Sequence, residues 1–129
     1  MPYQEIETLD RRVIAAFRDG VPDGAPDIAS MLIDQFLLEA ASQAERLHEA
    51  GQRGDAAAVK AVAHNLKGSS MTMGAKRLGT LCTALEAHTR QSSAVDGSAL
   101  ISELMTELDC ELVHVRAALL AERDCGCRS

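Results

Sequence analysis

Apolar residues recur at three- and four-residue spacing along most of the chain, and short clusters of Gly, Pro and Asp interrupt the recurrence. That period belongs to α-helices buried along one side. It predicts a first helix near residues 4–18, carried by Ile6, Leu9, Val13, Ile14 and Phe17. The loop DGVPDGAPD follows, and Asp27 is placed to cap a second helix over about 27–50. Its inward stripe reads Ile28, Leu32, Phe36, Ala40, Ala44 and Leu47, and GQRG (51–54) ends it. Asp55 caps a third helix that continues to Met73, with Gly74 as its stop. A fourth runs from about Ala75 to Gln91 with Leu78, Leu81, Cys82 and Leu85 inward. After SSAVDGS, Asp96 or Ser98 caps a fifth helix to about Glu122, buried through Leu100, Leu104, Leu108, Leu112, Val115 and Leu119.

Short connections between the last four helices make neighbours antiparallel. The expected fold is therefore all-α: an antiparallel up-down four-helix bundle with a short extra N-terminal helix. Residues 1–122 form one domain and 123–129 an unstructured tail. Composition agrees, because a chain that is 47% hydrophobic with two Phe, one Tyr and no Trp must fill its core with aliphatic and small side chains. Those suit close-packed helices better than strands.

A net charge of −6 leaves no basic footprint for nucleic acid. No apolar run is long enough to span a membrane. The N-terminus MPYQEIETLDRR lacks the apolar core of a secretory signal, so a soluble cytoplasmic protein is expected. Cys82 and Cys110 fall within helical patterns and read as small core residues. Cys125 and Cys127 lie in the polar tail without a second pair at zinc spacing.

One segment carries chemistry. On a helix, VKAVAHNLKGSSMTMG (59–74) separates into two faces. Val59, Val62, Ala63, Leu66, Ser70 and Met73 point to the core. Ala57, Lys60, Ala61, His64, Lys67, Gly68 and Met71 point away from it. A neutral imidazole can attack phosphorus without a general base. Lys67 and Lys60, one turn to either side of His64, are placed to offset the charge of the adduct. Gly68 lies directly beside the imidazole, and its missing side chain leaves room for a phosphoryl group and an approaching partner. Ser69 and Ser70 read as small residues that allow close helix approach or bond back to a carbonyl.

The stretch AHNLKGSSMTMGAKRLGTLCTALE (63–86) resembles the signature of histidine-containing phosphotransfer (HPt) domains, H-x-L-K-G-S followed by a Gly and an apolar run ending in L-E. The resemblance implies that His64 is the phosphoacceptor and Lys67 the family's basic residue. It places Gly68 at the open site and Gly74 at the break between the two central helices. It also implies a monomer that takes a phosphoryl group from the aspartate of a response-regulator receiver domain and passes it to another, downstream of a hybrid sensor histidine kinase. Mg²⁺ and most catalytic groups then belong to the receiver, and this chain binds no cofactor. Glu86 stands where the family often has Gln or Glu near the ring; accepting Nδ1–H, it would leave Nε2 free to attack. Ala57, Lys60, Ala61 and Met71 would form the partner-binding surface.

Two other readings compete. His48, His64, His88 and His114 lie one on each long helix, and Glu45 with His48 and Glu111 with His114 make Glu-x-x-His pairs, as in di-iron bundles. The third helix, however, has no Glu. Alternatively, the chain is a non-catalytic adaptor that docks receivers without carrying phosphate, a role for which His64, Lys67 and Gly68 together are not needed.

Overall fold

The computed structural model describes residues 5–22, 24–91 and 97–126. Helices α1 (Arg11–Arg18), α2 (Ile28–Gln52), α3 (Ala56–Met73), α4 (Lys76–Gln91) and α5 (Gly97–Gly126) follow in order. The long helices close a ring: α2 and α4 each pack on α3 and α5, while α1 lies against α2 and α3. Side-chain pairs fix the directions. Arg123 of α5 meets Asp34 of α2, and Asp109, fourteen residues back along α5, meets His48, fourteen residues forward along α2. The two helices are therefore antiparallel, and the up-down bundle stands as expected.

The caps explain the boundaries of α2 and α3. Asp27 accepts from the Ser30 amide and Asp55 from the Ala58 amide, each satisfying an amide that has no partner within its helix. Gly74 ends α3 with φ 81°, a conformation that favours glycine. A side chain there would also strike the Asp10 carbonyl, 2.9 Å from an ideal Cβ. The Gly74 carbonyl in turn accepts from the Asp10 amide at 2.8 Å, which fixes the start of α1 on the α3–α4 turn.

Several expectations need correction. The first helix begins at Arg11 rather than near residue 4, because the Asp10 carboxylate accepts from the Arg12 amide and caps it there. Leu9 joins the core from outside any helix, and the Ile6 carbonyl instead accepts from Arg77. The buried stripe of α2 is rotated by about one residue: Ala29, Ile33, Phe36, Ala40, Gln43, Leu47 and Ala50 face inward, leaving Ile28 exposed and Leu32 and Ala44 partly so. Cys110 is exposed, and Met105 and Glu111 supply buried positions on α5. Leu112 is only half-buried. Ser98 lies inside α5 rather than capping it, and α5 continues to Gly126, beyond the expected limit at 122. The Asp96 cap, the Leu100 side chain and Cys127 lie outside the described residues.

In α3 the inward set is Val59, Ala63, Leu66, Ser70 and Met73, with Val62 at the margin. Leu78, Leu81, Cys82 and Leu85 of α4 are fully or almost fully buried against them. No helix among the described residues is long and apolar enough to cross a membrane.

A candidate phosphoacceptor histidine on the α3–α4 face

With its apolar side committed to the core, α3 can only present His64 outward. The His64 side chain is 67% exposed. Its neighbour across the helix pair is Glu86 of α4, whose carboxylate is only 12% exposed. Nδ1 of His64 lies 3.3 Å from Oε2 and 3.4 Å from Oε1 of Glu86. These contacts are long for charge-assisted hydrogen bonds. A carboxylate oxygen accepts, so a hydrogen bond in this contact has Nδ1–H as its donor, in the tautomer that carries its proton on Nδ1. Nε2 makes no hydrogen bond among the described residues.

Gly68 is exposed, and a Cβ built on it meets nothing within 4 Å. Ala57, Ala61 and Met71 are exposed, while Lys60 and Lys67 are half-buried. Neither lysine has an ion pair among the described residues, so both ammonium groups remain available to an anion. Ser70, fully buried, returns its hydroxyl to the Leu66 carbonyl at 2.6 Å, and Ser69 bonds to the Asn65 carbonyl at 3.3 Å. Both serines are structural. Beneath the site, burial pushes the Cys82 thiol up to about 12; the Glu86 charge adds to this and Lys67 opposes it. Cys82 is therefore an inert thiol.

One part of the surface escaped the sequence reading. Once α2 is rotated, Ile28, Met31 and Leu38 line its outer side, and Leu38 is 77% exposed. The Ser69 hydroxyl reaches to 3.5 Å from Glu39, so this stripe borders the turn of α3 that carries Gly68. The spacing of Ile28, Met31 and Leu38 was the available signal, but it marks a helix face without saying which side of it is covered.

The histidines do not converge on a metal site. His48 lies 2.9 Å from both Asp109 oxygens, His64 meets Glu86, and His114 lies 3.4 Å from Glu111. Among the described residues no group of three or more His, Cys, Asp and Glu gathers as ligands. A cavity of about 600 Å³ opens beside His48, Val59, Ile101 and Met105, but none of the residues around His64 lines it. His64 stands apart from it, on an open helix face.

A family model for the Hpt domain matches residues 31–119, which include α3, α4 and most of α2 and α5. The chain belongs to the Hpt family. The crystal structure of histidine-containing phosphotransfer protein B (HptB) from Pseudomonas aeruginosa PAO1 is 31% identical in sequence, with a TM-score of 0.77. The alignment covers 92% of this chain and 96% of that one. No curated protein sequence matches. This Hpt domain is accordingly a histidine phosphotransfer intermediate in phosphorelay signalling, a carrier rather than a kinase.

Proposed function

We propose that His64 is the phosphoacceptor and that it takes the phosphoryl group on Nε2 from a receiver-domain aspartate. The observation that carries this is the division of labour on the ring. Nδ1 is turned to Glu86, while Nε2 has no hydrogen bond among the described residues on a largely exposed ring, one helical turn from the open space at Gly68. In that tautomer Nε2 holds a lone pair and no proton, so attack on phosphorus requires no base. The N–P bond forms as the bond from phosphorus to the aspartyl oxygen breaks, and the aspartate leaves as a carboxylate. The ring retains its Nδ1 proton, and the positive charge it acquires lies next to Glu86. Lys67, with Lys60 one turn away, faces the developing charge on the phosphoryl oxygens. Transfer to a second receiver reverses these steps.

Mg²⁺ and most of the catalytic groups belong to the receiver in this reading. The present chain contributes nucleophile, orientation, charge and a docking surface, which suits a reaction governed by positioning and electrostatics. The docking surface comprises Ala57, Lys60, Ala61 and Met71, extended by Met31 and Leu38 on α2. The chain works as a cytoplasmic monomer between a sensor histidine kinase and its response regulators.

The test is transfer of label from a phosphorylated receiver. The parent should acquire an acid-labile phosphate, and His64→Gln should acquire none. Because His64 is exposed, the variant should keep its stability within about 0.5 kcal/mol. Labelling of a folded His64→Gln variant at the parent rate would refute the assignment.

A further inference from the structure

Helix α4 has a glycine in its interior, Gly79, which costs helix stability relative to alanine and calls for a reason. Its situation is opposite to that of Gly68. A Cβ at Gly79 would lie 2.6 Å from Sδ and 3.3 Å from Cγ of Met71, and 3.9 Å from Cβ of Ser70. The thioether of Met71 therefore occupies the space that any side chain at position 79 would need. Met71 is nevertheless 55% exposed, so its underside rests in the notch on α4 while its upper side meets solvent.

The position of this contact in the bundle gives it significance. Seven residues along α3, from His64 to Met71, correspond to seven residues back along α4, from Glu86 to Gly79. The Met71–Gly79 contact thus repeats the His64–Glu86 contact about 10 Å away along the same helix pair. Between them on α4, Thr83 turns its hydroxyl back to the Gly79 carbonyl at 2.9 Å. Between them on α3 stands Gly68. No side chain rises from position 68 between His64 and Met71, where Lys67 stands alongside, and at the far end the height is set by how deeply Met71 sinks into α4.

We propose that Gly79 is a positioning residue for partner recognition: it seats Met71 against α4, so that a receiver meets a low apolar surface two turns from His64. Any side chain at 79 lifts Met71 outward and holds the receiver away from Nε2. This rests on the reading that receivers dock around His64, and it adds a residue that makes no contact with the partner itself. The displaced group is the end of a flexible side chain, so Gly79→Ala keeps the fold.

Phosphoramidate, a small phosphodonor, reports the chemistry of His64 alone, whereas a phosphorylated receiver domain reports chemistry and docking together. For Gly79→Ala we expect unchanged labelling by phosphoramidate. The receiver concentration giving half-maximal transfer should rise about fivefold with little change in the saturating rate, as expected for loss of a contact-mediated coupling. In a Met71→Ala background the same substitution should have no further effect, since no thioether remains to be lifted. Parent-like transfer by Gly79→Ala overturns the proposal, as does a penalty of equal size in the Met71→Ala background. A parent chain that accepts phosphate on His64 from phosphoramidate but from no receiver overturns the docking reading as well.

Discussion

Nδ1 of His64 is directed at the carboxylate of Glu86, 3.3 Å from one oxygen and 3.4 Å from the other. The acceptor comes from a different helix and is largely buried, while the ring is largely exposed. An exposed imidazole would otherwise sample several rotamers and both neutral tautomers. Here a largely buried carboxylate lies against Nδ1, and Nε2 is left without a hydrogen bond among the described residues.

Removal of that acceptor should be visible in the ring itself. In Glu86→Ala, nitrogen-15 spectra of His64 should shift from the Nδ1–H tautomer toward the Nε2–H form. Receiver-dependent transfer should slow by about tenfold, in the range for loss of a carboxylate that orients a reactive imidazole. An unchanged tautomer ratio would show that Glu86 does not set it.

The space at Gly68 makes a second prediction. Because a Cβ there meets nothing within 4 Å, Gly68→Gln should fold normally and gain up to about 1 kcal/mol from its better helix propensity. The same side chain would stand beside Nε2 and slow transfer by about tenfold or more, as misplacement of reacting groups does. Thermal melts and transfer rates measured together separate the effects; a destabilised, fully active variant would mean that Gly68 serves packing.

Helix α3 was legible to the residue, from the Asp55 cap to the Gly74 stop, because caps and period agree there and because one side of it is covered by two neighbours. The outward position of His64 was legible for the same reason: a helix with a fixed inward face has a fixed outward one. Helix α2 was harder. Apolar residues lie on more than one side of it, and tertiary packing put Ala29 and Ile33 inside while leaving Ile28 out. Glu111 is the clearest case of a residue that periodicity could not place. It is 3% exposed, yet Arg77 reaches it at 3.2 Å from α4, a pairing that spans 34 residues and leaves no local trace. The seat of Met71 on Gly79 is equally non-local.

The turn that ends α3 is tied to Asp10, and this gives a pH dependence. Its carboxyl is lowered from 3.8 to about 2, first by the Arg12 guanidinium that bonds it, then by the Arg12 amide and the charges of Arg12 and Lys76, against a raising effect of burial. A depressed carboxyl stabilises the fold fully above its unfolded value and loses that contribution as pH falls from 3.8 toward about 2. Asparagine caps helices as well as aspartate does, so Asp10→Asn isolates the charge. The variant should melt below the parent at neutral pH, and the gap should close through that acidic window. A gap that stays constant to the acid limit would assign the effect to packing.

Docking is tested by charge placed on each part of the proposed surface. Met71→Asp introduces a carboxylate into the proposed apolar docking patch; receiver binding should weaken by about tenfold with the helical spectrum intact. Leu38→Asp should act in the same direction if the α2 stripe belongs to the interface. Lys60→Glu should act differently, because a charge at the rim of the proposed surface mainly steers association. Its penalty should be largest at low salt and shrink as the ionic strength rises past about 0.1 M, where the screening length falls to about 10 Å. Stopped-flow transfer at two ionic strengths, with circular dichroism as the folding control, reads all three. Parent rates for Met71→Asp and Lys60→Glu together with a slow Leu38→Asp would move the interface onto α2, away from the α3 face that surrounds His64.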